Sequence, residues 1–131
     1  MLQEGRVFLV RHSYLPGWYL PGGKVDRGET AATAVLREVA EECALEATRA
    51  ELLAVYANAE QNRNDHILLY RVEDARPLPP APRLRRALRA LEIVESGFFP
   101  IDALPPETTA ATRRRLAEFT GPAPCPIPET W

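Results

Sequence analysis

The sequence lacks the features that mark several large classes of protein. It contains no apolar stretch near the roughly 20 residues that a membrane-spanning helix needs, and its N-terminus has no basic segment followed by an apolar one. Its two cysteines, Cys43 and Cys125, are too few for a disulfide framework and lack the spacing of a metal site. We therefore expect a soluble, unprocessed protein of the reducing cytoplasm, with no membrane partner.

The sequence also lacks an excess of positive charge. Its 16 lysines and arginines against 18 aspartates and glutamates leave a net charge of −2, so no broad basic field is available for a nucleic-acid backbone. No internal repeat is present, and 46% hydrophobic residues suffice for one core. We therefore predict a single domain over residues 1–121, followed by an irregular proline-rich tail over 122–131.

The most informative segment is a glycine-rich turn followed by an acidic helix. Residues 20–23 read Leu-Pro-Gly-Gly, and residues 30–43 contain neither glycine nor proline, which predicts a helix with Thr30 as its N-cap. At about 100° per residue, this helix has two distinct faces. The apolar face carries Ala32, Val35, Leu36, Val39 and Cys43, and the opposite face carries Glu38, Glu41 and Glu42.

Three carboxylates side by side on a helix repel one another unless cations neutralise them. An acidic helix face by itself is most often a solvated surface. Ligation by oxygen atoms alone, however, also suits Mg²⁺ or Mn²⁺, which bind through a few carboxylates, waters and substrate phosphates. The surrounding residues therefore decide between a surface and a metal site.

The spacing of those residues resembles the signature of the Nudix hydrolases. From Gly23 to Leu45 the sequence follows G-x5-E-x7-R-E-U-x-E-E-x-G-U, in which U is a bulky aliphatic residue, with Glu29 and Arg37 in register. One position departs, since Ala44 stands where the family has glycine. A left-handed alanine is costly at a helix end, so we expect the helix to run on through Leu45.

The resemblance implies hydrolysis of a nucleoside diphosphate linked to another group X, with Mg²⁺ or Mn²⁺ as cofactor. It also implies the roles of individual residues. Glu38, Glu41 and Glu42 would bind the metal together with the main-chain carbonyl of Gly23. Glu41, Glu42 and Arg37 would be the catalytic residues, with Arg37 orienting a carboxylate through a charge-assisted pair. A general base in this family often lies outside the signature, and here Glu92 and Glu95 are candidates.

Residues that would bind the small-molecule nucleotide are chosen by chemistry, because arginine suits phosphate and aromatic rings suit bases. The first candidates are Arg11, Trp18, Asn58 and Arg63, and the further ones are Tyr19, Asn62, Asp65 and His66. Trp18 and Tyr19 have an alternative interpretation as core residues, and His12 and His66 as ordinary strand or loop residues. ADP-ribose, a dinucleoside polyphosphate, an oxidised nucleotide and a capped RNA end all remain open as substrates.

Other functions fit the sequence less well. A nucleotide-binding sensor that keeps the Nudix fold would not need the complete set of acids, and a structural protein would have no use for them. Isomerisation of an isoprenyl diphosphate would need a reactive cysteine in the pocket, whereas Cys43 lies on the apolar helix face and Cys125 in the tail.

The order of predicted elements favours an α/β fold, an α/β/α sandwich on a mixed sheet, which is also the Nudix fold. Strands are predicted at 6–11, 18–20, 51–56, 66–72 and 92–101, and further helices at 83–91 and 108–119. In the last helix, Leu116 and Phe119 are predicted to contact the core and arginines 113–115 to be mostly solvated. The family usually has one more strand of about ten residues ahead of this chain's Glu4. We therefore expect an exposed sheet edge that is filled either by a second subunit, giving a homodimer, or by a compensating rearrangement.

Overall fold

The structure is a computed structural model that describes residues 1–58, 65–79 and 91–121. The tail over 122–131, most of the helix predicted at 83–91, and Asn62, Arg63 and Cys125 lie outside the described residues. The strands are β1 (Leu2–Gln3), β2 (Arg6–His12), β3 (Leu45–Glu46), β4 (Arg49–Asn58), β5 (Asp65–Glu73), β6 (Arg76–Pro77) and β7 (Ile93–Pro100). The helices are α1 (Ala31–Cys43) and α2 (Ala110–Thr120), and a 3-10 turn spans Ile101–Ala103.

Strand β2 lies between the two helices. Because successive side chains of a strand point to opposite faces, its apolar run divides into two sets. Val7 and Leu9 pack in a cluster with Leu116 of α2, and Phe8 and Val10 pack in a cluster that includes Val39 of α1. The helices therefore cover opposite faces of this strand, which confirms the predicted α/β class with helices on both sides.

The strand pairs in the described residues are all antiparallel. They form the ladders β1-β2-β7, β3-β6 and β4-β5. The parallel component of the predicted mixed sheet is an isolated bridge between Trp18 and Thr108. The first strand, β1, has two residues. The two residues of β1 pair with β2, and Val10 of β2 exchanges two backbone hydrogen bonds with Tyr19.

The β4–β5 hairpin is joined to α2 by a buried polar contact. The Tyr56 hydroxyl donates to the Glu118 carboxylate at 2.9 Å, and the Arg115 guanidinium lies 4.2 Å from the centre of the Tyr56 ring. Burial, followed by the hydrogen bond with Glu118, raises the pKa of Tyr56 to about 12. The prediction that Arg115 is mostly solvated is wrong. Its side chain is 2% exposed, because Glu118 neutralises it at 2.7 Å and Tyr56 covers it.

Helix α1 begins as predicted and ends earlier than predicted. The Thr30 hydroxyl caps its first turn by accepting from the Thr33 amide at 3.2 Å. The expectation that the helix runs on through Leu45 is wrong, because Ala44 adopts the left-handed conformation with φ 54° and ψ 37°. The chain has to reverse there, since Leu45 turns into the core and the Ala44 carbonyl accepts from the Leu78 amide at 3.0 Å. A left-handed alanine costs about 1 kcal/mol or more.

No helix in the described part of the chain is long and apolar enough to cross a membrane.

We predict that Ala44→Gly raises the free energy of unfolding by about 0.5 to 1 kcal/mol, since glycine relieves the left-handed strain at the cost of a more flexible unfolded chain. Thermal unfolding should show a midpoint raised by about 2 to 5 °C. Ala117→Gly, at an exposed position inside α2, is the matched control and should lower stability by about 1 kcal/mol. An unchanged or lower midpoint for Ala44→Gly would show that position 44 carries no strain.

Candidate active site

Two acidic side chains of α1 meet a turn formed by Gly22 and Gly23, hereafter the glycine turn. The Gly22 amide donates to Oε2 of Glu42 at 2.9 Å, and the Glu42 side chain is 9% exposed. The carboxyl group of Glu38 lies directly against Gly23, where any Cβ atom would overlap it. The turn thus approaches the carboxylates so closely because residue 23 has no side chain.

Arg37 donates hydrogen bonds to three acids of this segment, Glu29, Glu38 and Glu41. Its guanidinium donates to Oε1 of Glu29 at 2.7 Å and to the Lys24 carbonyl at 3.0 Å. It also donates to Oε1 of Glu38 at 2.9 Å and to Oε2 of Glu41 at 3.2 Å. The hydrogen bond from Arg37 is the main cause that lowers the pKa of Glu29. The structure therefore brings together Arg37 and the acids that the signature places in register.

The acids of the helix differ in their surroundings. Burial raises the pKa of Glu38 above its usual range, although the hydrogen bond from Arg37 acts in the opposite direction. Glu41 is turned outward, with 57% of its side chain exposed. A buried carboxylate whose pKa is raised in this way is stabilised in its charged form by a further cation nearby.

The residues that meet at the glycine turn fit a hard divalent cation, because Glu38 and Glu42 offer carboxylate oxygens and Gly23 has no side chain to keep them away. The described residues nevertheless contain no group of three or more acidic, histidine or cysteine side chains close enough together to hold a metal ion. Glu38 and Glu42 lie at the turn, whereas Glu41 lies on Arg37. The three predicted ligands are thus only partly assembled.

His12 also lies at this site, beside Glu42, although the sequence favours an ordinary strand or loop residue. Its Nε2 lies 3.8 Å from Oε1 of Glu42, and its side chain is 8% exposed. Burial lowers the pKa of His12 and so favours the neutral imidazole, although the charge of Glu92 acts in the opposite direction. The signal was present in the sequence, since His12 follows Phe8 and Val10 at a spacing of two and so shares the face that α1 covers.

The substrate candidates are placed differently from one another. Trp18 is 6% exposed and its ring lies 4.7 Å from that of Phe99, which favours the alternative interpretation as a core residue. Arg11 lies at the surface beside it and pairs with Glu95 at 2.9 Å. Of the other described candidates, Tyr19 lies beside His12. Asn58 ends β4, and Asp65 and His66 begin β5.

The two candidates for a general base are also separated by their contacts. Glu95 is engaged by Arg11. The Glu92 carbonyl accepts from the Ser13 amide at 2.8 Å, which places residue 92 beside His12 and the exposed Tyr14. The charge of Glu92 contributes to the raised pKa of Tyr14, after burial and Glu42. Glu92 is therefore the candidate on the side of the acidic cluster.

A cleft of about 960 Å³ opens beside the glycine turn. Its lining includes Gly22, Gly23 and Glu38 together with residues of β5 and α2. Small-molecule sites span roughly 300 to 1,000 Å³, so this cleft has room for a nucleotide next to the acids.

Comparison with known proteins identifies related chains. A family model described as NUDIX domain matches residues 1–119. The MutT NUDIX hydrolase from Burkholderia pseudomallei has a similar crystal structure, with a TM-score of 0.70 and 30% identity over 88% of this chain and 89% of that one. A UDP-X diphosphatase structure has a TM-score of 0.61 and 25% identity over 92% of this chain and 59% of that one.

Curated proteins match over shorter segments. The RNA pyrophosphohydrolase of Dinoroseobacter shibae (strain DSM 16493 / NCIMB 14021 / DFL 12) is 44% identical over 52 residues, which are 38% of this chain and 32% of that protein. The chain spans less than half the length of the curated relatives it matches.

We predict that Gly23→Ala weakens the binding of Mn²⁺ by about tenfold or more, because the new methyl group displaces the Glu38 carboxyl group from the turn. Titration of the protein with Mn²⁺, followed by electron paramagnetic resonance of the free ion, measures the affinity. Gly97→Ala is the matched control, since its Cβ would make only an ordinary contact with Phe99, at 4.0 Å. Equal affinities for the Gly23→Ala variant and the parent protein would remove Glu38 from the metal site.

Proposed function

Because the chain belongs to the NUDIX family, we propose that it hydrolyses the pyrophosphate bond of a nucleoside diphosphate linked to a second group X. The observation that carries this proposal is the convergence of the Glu38 and Glu42 carboxylates on the glycine turn, with Arg37 beside them. We propose Mg²⁺ or Mn²⁺ as the cofactor, held by Glu38, Glu41, Glu42 and the Gly23 carbonyl. Glu41 would have to leave Arg37 to join this set.

The bound metal ion would neutralise the diphosphate and lower the pKa of a water molecule. The protein's own residues supply the remaining requirements. Arg37 keeps Glu29 and Glu38 in place through its hydrogen bonds, so that the acids do not swing apart under their mutual repulsion. Glu92 is proposed to accept the proton of the water as oxygen attacks phosphorus, and the bond to the bridging oxygen breaks.

The cleft beside the turn supports a small-molecule nucleotide as substrate, since it adjoins Glu38 and has the volume for a nucleoside. The relatives are named for different substrates, one for UDP-X and another for RNA. The group X is therefore left to experiment. We also propose that residues 1–121 act as one domain in the cytoplasm, without a nucleic-acid or membrane partner.

The experiment is a panel of nucleoside triphosphates, ADP-ribose, NAD, dinucleoside polyphosphates and nucleotide sugars, incubated with Mg²⁺ or Mn²⁺ and analysed by mass. We expect metal-dependent cleavage between phosphorus atoms for at least one compound. If no compound is cleaved while Mn²⁺ still binds, either the substrate lies outside the panel, as a capped RNA end would, or the chain is a nucleotide-binding sensor.

We predict that Glu42→Gln lowers turnover by about 100-fold or more and weakens metal binding, because it removes one charge from the proposed ligand set. The fold should persist, since a glutamine oxygen can still accept from the Gly22 amide. Glu51→Gln, on the exposed side of β4, is the matched control and should behave as the parent protein. If Glu42→Gln kept most of its activity in saturating Mg²⁺, the assignment of Glu42 would be wrong.

We also propose a homodimer formed through the sheet edge beside β1. Analytical ultracentrifugation at the assay concentration should give twice the mass of the 14.6 kDa chain. A monomer under these conditions would contradict this proposal without affecting the hydrolytic one.

A further inference from the structure

Glu42 is contacted from two sides by different parts of the fold. The amide of Gly22 donates to its Oε2 at 2.9 Å, and Nε2 of His12 lies 3.8 Å from its Oε1. The side chains of His12 and Glu42 are 8% and 9% exposed, so little water can reach the space between them. The carboxylate is thus confined between the glycine turn and the end of β2.

Two tyrosine rings lie beside the imidazole. The ring of Tyr14 lies 5.2 Å from that of His12, and the ring of Tyr19 lies 5.8 Å from it on an edge-to-face approach. Tyr19 is itself fixed, because its hydroxyl donates to the Pro16 carbonyl at 2.8 Å and its backbone pairs with Val10. His12 therefore packs against the anchored ring of Tyr19 and presents one ring nitrogen to Glu42.

The contact between His12 and Glu42 is not a hydrogen bond that would stabilise the core. A separation of 3.8 Å is longer than a hydrogen bond, and Nδ1 of the same ring is buried without a hydrogen-bond partner in the described residues. An apolar side chain of similar size would fill this position without the free-energy penalty of burying an unpaired polar nitrogen. The imidazole nevertheless places Nε2, one of its two polar atoms, next to Glu42.

We propose that His12 is a positioning residue, which keeps the Glu42 carboxylate turned toward the Gly22 amide and thereby sets the affinity of the site for a divalent metal ion. In this proposal the neutral ring carries its proton on Nε2, and the attraction between that proton and Oε1 of Glu42 opposes rotation of the carboxylate away from the turn. Partners behind the ligands commonly change metal affinity by 10- to 100-fold, roughly, when they are replaced. This inference rests on the proposed function, because it takes Glu42 as a metal ligand.

The test compares two substitutions of His12, one that keeps an aromatic ring without Nε2 and one that keeps a nitrogen without the ring. His12→Phe keeps an aromatic ring between the two tyrosines and loses Nε2, whereas His12→Gln loses the ring and places an amide nitrogen close to the same point. We expect His12→Phe to weaken Mn²⁺ binding by about tenfold and His12→Gln by less than about threefold. At saturating metal, turnover and the KM for the nucleotide should return close to the parent values.

A double-mutant cycle completes the test. In the Glu42→Gln background, His12→Phe should have no further effect on Mn²⁺ affinity, because its target is gone. Parent-like Mn²⁺ binding by His12→Phe, an equal loss in both His12 variants, or a full additional loss in the Glu42→Gln background would overturn the proposal. If Glu42→Gln alone left Mn²⁺ binding unchanged, the metal assignment in the proposed function would fail instead. Thermal unfolding of each variant identifies any loss that reflects unfolding.

Discussion

The crowding of carboxylates around one guanidinium is the interaction on which the site depends. Arg37 donates to Glu29, Glu38, Glu41 and the Lys24 carbonyl, so it links the loop before α1 to two turns of the helix itself. Without it, like charges in close contact would oppose both the helix and the loop. One cation does not balance several anions, and the remaining negative charge is what a divalent metal would neutralise.

The core and the site are coupled through a single strand. Phe8 and Val10 of β2 anchor it against α1, and the next residue on that face is His12, which reaches Glu42. The same strand therefore buries apolar surface along most of its length and presents a polar ring at its end. A change that shifts β2 relative to α1 would alter both the packing and the orientation of Glu42.

A close backbone contact supports the segment that leads into the glycine turn. A Cβ at Gly17 would lie 2.8 Å from the Glu107 carbonyl, and this carbonyl accepts from the Trp18 amide at 3.1 Å. Gly17 also has φ +101°, which other residues rarely adopt. The loop between β2 and the turn is thus tied to the residues that precede α2, and the site is supported from both helices.

Local features of this protein could be read from the sequence, because each depends on residues within one or two helical turns. They include the Thr30 cap, the burial of Cys43, and the register of Arg37 with the acids. Contacts between distant segments were decided only by the tertiary structure. Arg115 is buried because Tyr56, on another strand, covers it, and His12 meets Glu42 because β2 packs on α1. The end of α1 at Ala44 was also decided by the tertiary structure, because the chain reverses there to bury Leu45 in the core. Such partners are set by how the elements pack, and a pattern of spacing along the chain does not contain that information.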